Sequence, residues 1–194
     1  MSSSTVKESA NSLAHQLAEL SGAVVRAEDV PELMADFSEV PPFLRSLLVA
    51  DGTVTMALEA FFLEDVLIET LQQGVFTLPE VIPVLDVAAG DRGFYREVRL
   101  VGAHSATEYA RAFSVLNSAA IEPTLFDHLV DERVGIGVIL RNFSRGSHRE
   151  VLDIRRGGLM SAADVSRSYR VSLNEQPAIL ITEEFDYAPY SYST

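Results

Sequence analysis

Six segments of this chain have the character of β-strands, and their order along the sequence limits the folds open to it: VLIETLQQGVF, FYREVRLVG, EYARAFSVLN, REVLDIRR, RSYRVSL and AILITEEF. Most are neighbours in sequence, which favours antiparallel pairing through short connections. Between the third and fourth lies EPTLFDHLVDERVGIGVILRN, whose pattern predicts a helical pair around Gly135 and Gly137. Helical patterns also precede the first strand. Ser4 or Thr5 can cap a helix reaching about Leu20, with Gly22 as its stop, and AEDVPELMADF suggests a short helix with Pro31 in its first turn. VPPFLRSLLVADGTVTMALEAFF reads as two helices broken at Asp51-Gly52, the second opening at Thr53. The expected fold class is α+β: an antiparallel sheet with helices and two helix–turn–helix flaps covering one face. LNEQP, Leu173 to Pro177, is the expected hairpin turn between the last two strands. One compact domain is expected, with residues 1–40 as a helical extension packed on residues 41–194.

The chain has 194 residues, 47% of them hydrophobic and 22% charged, enough to bury a full core. No apolar run approaches the roughly 18 residues that a membrane span needs. The start, MSSSTVKESANSL, has neither the basic nor the apolar region of a signal peptide, so a cytoplasmic location is expected. The absence of cysteine excludes disulfides, thiolate metal sites, iron–sulfur clusters and thiol catalysis. A net charge of −13 argues against a nucleic-acid partner and against an anionic membrane surface. It leaves a small-molecule partner, anionic or largely apolar and enclosed, held by a few arginines in a pocket.

Three charges fall on the wrong side of a strand. In AILITEEF, Glu183 shares a face with Ile179, Ile181 and Phe185, although Glu184 beside it could carry a charge to water. In FYREVRLV, Arg96 shares a face with Phe94, Val98 and Leu100. Arg111, alternating with Tyr109, Phe113 and Val115, is a weaker third case and a further candidate for ligand contact. A buried charge needs a partner, because leaving one unpaired costs roughly several kcal/mol. Three outcomes are open: Arg96 and Glu183 pair with each other, both reach solvent through another register, or both line a closed pocket.

Other chemistry has little support. His15, His104, His128 and His148 are scattered, and His128 with Asp131 suits a solvated helix face better than a metal, so no metal is expected. No GxSxG elbow is present. GVGIGV lacks the full dinucleotide pattern, but its glycines suit a turn where backbone approaches a ligand. RGSHRE and DIRRGG read as solvated strand ends.

Taken in order from about Leu47 to Phe185, these segments resemble the chorismate pyruvate-lyase (4-hydroxybenzoate synthase) family. LLVADGTVTMALEAFF is similar to that family's first flap, YREVRL to the strand with its carboxylate-binding arginine, and GIGVIL to its P-L-G turn. REVLDIRR and SRSYRVSLNEQPAILITEEF are similar to further strands, including the terminal hairpin with its T-E-x-F signature. Gly135 stands where the family's turn has proline. The resemblance implies that Glu183 takes the catalytic glutamate's place and Arg96 that of the carboxylate-binding arginine. Val54 would contact the ligand through its backbone, as would Ile136 and Gly137 in the turn. The implied activity is cofactor-independent elimination of pyruvate from chorismate, giving 4-hydroxybenzoate, with a protonated Glu183 as hydrogen-bond or proton donor.

Two other readings fit the same pocket: a cyclase or other unimolecular enzyme of specialised metabolism, or a non-catalytic sensor of aromatic acids. The same fold serves GntR-type regulators as their UTRA domain, so fold does not decide activity. Against the sensor stand the acidic charge and the lack of a recognisable DNA-binding module before the domain, so a sensor is expected to act through a separate partner.

Overall fold

The alternating segments close into one six-stranded sheet in a computed structural model, which describes residues 3–51, 53–130, 136 and 147–191. The strands are β1 (Val66–Thr77), β2 (Arg92–Gly102), β3 (Glu108–Asn117), β4 (Ser147–Arg156), β5 (Val165–Leu173) and β6 (Gln176–Phe185). Their order is β1-β2-β3-β6-β5-β4, and every pair is antiparallel. The β5–β6 hairpin turns on Asn174 and Glu175, both at positive φ (50° and 68°), the twist that a two-residue turn needs.

Register decides which side chains meet. Arg96, Ser114, Ile181 and Tyr169 lie in line across β2, β3, β6 and β5, and Val98, Ala112, Glu183 and Arg167 form the next same-face row. Both rows belong to the front face. Helices α3 (Pro42–Val49) and α4 (Val54–Phe62) make the expected hairpin and cover its lower end. There Leu44, Leu48 and Leu58 share one buried cluster with Leu100, Val165 and Phe185. Helix α5 (Pro123–Leu129) covers the upper end, packing Leu129 with Phe94, Leu116 and Ile179. The rest of the expected second helical pair, Gly135 and Gly137 included, lies outside the described residues.

The back face is closed by α1 (Ser3–Ala18), which ends two residues short of Leu20. Its Ala10, Leu13, Ala14 and Leu17 are fully buried against Tyr95, Phe113, Val115 and Leu180. That i, i+3, i+4, i+7 spacing is one helical stripe. The short helix α2 (Val30–Ala35) has Pro31 in its first turn, as expected. Among the described residues no helix is long and apolar enough to cross a membrane.

Glu64, between α4 and β1, braces the hairpin to the sheet. Its carboxylate accepts the N–H groups of His104 (2.7 Å) and Ser105 (3.0 Å) and the Tyr109 hydroxyl. Gly102 must be glycine for this to fit, since a Cβ there would lie 2.4 Å from Glu64 Oε1. The Tyr109 hydroxyl, then the Ser105 side chain and the two backbone donors, lower the Glu64 pKa from 4.5 to about 2. The folded state thus binds this proton more weakly than the unfolded chain. The brace contributes fully above about pH 4.5 and loses its contribution as pH falls towards about 2. Glu64→Gln should therefore be less stable than wild type at pH 7, with the gap closing near pH 2, as measured by urea unfolding at both values.

Candidate functional site

A cavity of about 70 Å³ separates the front face from the α3–α4 hairpin. Its floor is apolar where Ile68, Val98, Leu100, Ala112 and Ile181 come together from β1, β2, β3 and β6. The first turn of α4, residues Thr53, Val54 and Thr55, forms one wall. The first N–H groups of an α-helix lack intrahelical acceptors and carry its positive end, so this wall suits an anion or a hydrogen-bond acceptor.

Arg96, Glu183, Val54 and Ile136 all line this cavity, so four of the six expected contacts meet at one place. Arg96 is 2% exposed and donates to the Leu129 carbonyl (3.0 Å) and the Thr70 hydroxyl (3.3 Å). Those bonds tie it to α5 and β1 and fix its guanidinium at the wall. Arg111 does not join them. Its position on β3 points it to the back face, where it pairs with Glu108 (3.1 Å) and lies 3.8 Å from Glu97. A pleat reverses with each residue, and Ser114, not Arg111, is the front-face polar residue of that strand. Gly137 lies outside the described residues.

Glu183 is where the arrangement departs most from expectation. It pairs with neither Arg96 nor solvent. Its Oε2 accepts from Arg167 Nε at 2.8 Å, and Oε1 accepts from the Tyr169 hydroxyl at 3.0 Å. Arg167, only 1% exposed, also donates to the carbonyls of Leu47 and Ala50 (2.7 Å for Ala50) and lies 5.1 Å from the Tyr169 ring centre. It thus caps the C-terminus of α3, where backbone carbonyls lack partners. Burial first, then the Glu183 charge, raise the Tyr169 pKa far above its ordinary value, so the hydroxyl keeps its proton and remains a donor. Both oxygens of Glu183 are therefore acceptors in an ion pair. The expectation of a carboxyl alone among apolar neighbours is corrected: Glu183 is held by Arg167 and Tyr169. Glu184 is also buried, its carboxylate accepting the N–H groups of Leu159 and Met160, both at 2.6 Å.

Sequence reading missed Arg149, Arg167 and Tyr169. Val165, Arg167, Tyr169 and Val171 share a face, so the alternation that exposed Arg96 would have exposed Arg167 had it been applied to β5. Arg149 had no such signal. RGSHRE read as a solvated strand end, yet Arg149 lines the cavity and donates to the Asp51 carbonyl at 3.0 Å. Among the described residues, no carboxylate pairs with Arg149. The charged side chains of the lining among the described residues are Arg96, Arg149 and Glu183, and Glu183 is already paired with Arg167.

No family model matches the sequence, and no curated protein is significantly similar to it. Solved structures are. PhnF from Mycobacterium smegmatis aligns over 75% of this chain and 68% of its own, at 12% identity and a TM-score of 0.53. The separately solved effector domain of PhnF gives 16% identity, 71% and 90% coverage and a TM-score of 0.52. A GntR-family transcriptional regulator from Bacillus cereus gives 13% identity, 66% and 96% coverage and a TM-score of 0.48. The fold is shared with PhnF and its effector domain. It is the chorismate lyase-like fold expected from sequence. The expected lyase is corrected: the structures that share this fold are PhnF and its effector domain, not lyases.

Proposed function

We propose that this chain is a non-catalytic sensor domain that encloses a small organic anion with an apolar body. The observation that carries the reading is Arg149 in the lining of a largely apolar cavity, paired with no carboxylate among the described residues, beside a Glu183 already paired with Arg167, in a chain of net charge −13. An acidic protein repels anions at long range, so arginines set against an apolar floor are what select one at short range. The body of the ligand would lie on Val98, Ala112 and Ile181. Its carboxylate or phosphate would meet a guanidinium and the first turn of α4. The fold shared with PhnF supports sensing over catalysis.

Calorimetric titration with benzoate, 4-hydroxybenzoate and neutral benzyl alcohol tests the reading. The acids are expected to bind and the alcohol to give no heat. Arg149→Ala should weaken the acids about tenfold to a hundredfold, the worth of one charge-assisted hydrogen bond. Equal binding of acid and alcohol, or an unchanged affinity in the variant, would contradict it.

A further inference from the structure

The two arginines that hold the α3–α4 hairpin differ in a way that gives the hairpin one fixed point and one releasable point. Arg167 on β5 is fully buried, ion-paired with Glu183, stacked near Tyr169 and bonded to Leu47 and Ala50 at the end of α3. Nothing that enters the cavity can take it without breaking the Glu183 pair. Arg149 on β4 is partly exposed and reaches the hairpin through one bond, to the carbonyl of Asp51. It lines the cavity, and no carboxylate among the described residues competes for it. A carbonyl oxygen is a neutral acceptor, and an anion forms a hydrogen bond of roughly twice the strength with the same guanidinium.

We propose that Arg149 is a ligand-sensitive latch: an anion in the cavity takes its guanidinium from the Asp51 carbonyl, and the start of α4 is released while α3 stays pinned by Arg167. This rests on the anion-binding reading given above and adds its consequence for the fold. The latch holds Asp51 in the turn that leads into α4, and the start of α4, Thr53 to Thr55, is a wall of the cavity, so occupancy and hairpin position are linked through adjoining residues. The other side of α4 carries Met56, 52% exposed, and just past the helix end stands Leu63, 88% exposed at φ 57°. Release at Asp51 therefore moves an element with apolar groups at the surface. A change inside the cavity reaches the outside of the molecule by this route.

Amide hydrogen exchange followed by mass spectrometry tests the latch on the whole chain. Without ligand, Arg149→Met is expected to speed exchange in peptides covering 50–57 by about fivefold, the factor for one neutral hydrogen bond, and to leave 42–48 unchanged. Arg149→Lys, which keeps the charge and one donor, should restore part of the protection. Adding saturating 4-hydroxybenzoate to wild type should reproduce the variant's pattern at 50–57 and add little in Arg149→Met. Identical exchange at 50–57 in wild type and Arg149→Met overturns the proposal, as does acceleration spread evenly over 42–57. If wild type binds 4-hydroxybenzoate calorimetrically but gains protection at 50–57, the latch is wrong while the anion site stands. If no acid binds, the anion site is wrong, and the latch falls with it as a ligand-sensitive device even where the ligand-free comparison shows Arg149 holding the turn.

Discussion

Glu183→Gln is expected to destabilise the fold by roughly 3–5 kcal/mol, the cost of removing one partner of a buried ion pair. The side chains of Arg167 and Glu183 are 1% and 8% exposed, so neither charge can turn to water when the other is lost. The amide introduced in that variant could still accept one hydrogen bond, but the guanidinium would remain a buried cation with only the carbonyls of Leu47 and Ala50 and the face of Tyr169. Arg167→Met should cost about as much, since it strands the Glu183 carboxylate and removes the cap of α3. The double variant should cost less than the sum of the two singles, because the second substitution removes the charge that the first one stranded. Denaturant unfolding of the four proteins gives this coupling directly. A loss near zero for Glu183→Gln would mean that the pair is not the buried element described here. The same result bears on how a Glu183 variant is read in any activity measurement, because loss of signal would follow from unfolding and not from missing chemistry.

Ala112→Leu is expected to abolish ligand binding and leave the fold intact. Ala112 lies on the cavity floor between Val98 and Glu183 in the same row of the sheet, and three added carbons project into the cavity. Filling an existing cavity avoids the strain of overpacking a closed core, so thermal unfolding should change little or shift upward. Binding of benzoate should fall below detection, a loss of at least about a hundredfold, because the floor that receives the ligand body is occupied. A variant that binds as well as wild type would place the ligand somewhere other than this cavity.

The strands were legible from their β-branched and aromatic composition and their period-two alternation, although both faces of the sheet are packed, by the hairpin and α5 in front and by α1 behind. The same alternation singled out Arg96 and Glu183 as charges out of place, and the cavity receives both. What sequence could not supply was the partner of each. Pairing across β5 and β6 depends on register, and register puts Arg167 opposite Glu183, a relation visible only once both strands are set side by side. Arg111 misled because the alternation of a strand names two faces without saying which faces the ligand. Its neighbours Tyr109, Phe113 and Val115 are apolar because α1 and the hairpin end cover the back of the sheet. Arg149 was invisible for another reason. It stands near the start of an edge strand, where a basic cluster normally reaches solvent, and only the folding of the α3–α4 turn over that edge brings Asp51 to it. The function was misjudged at the step from a buried glutamate to a proton donor, since a neighbouring arginine changes what a carboxylate does.

The measurement that bears most directly on the central claim is proton NMR of chorismate and 4-hydroxybenzoate with the protein, followed over several hours. The account predicts saturation transfer from protein to at least one of the two acids, weakened in Arg149→Ala, with the ligand spectrum otherwise unchanged throughout. Steady appearance of pyruvate from chorismate would contradict it, as would the absence of transfer to any organic anion tried.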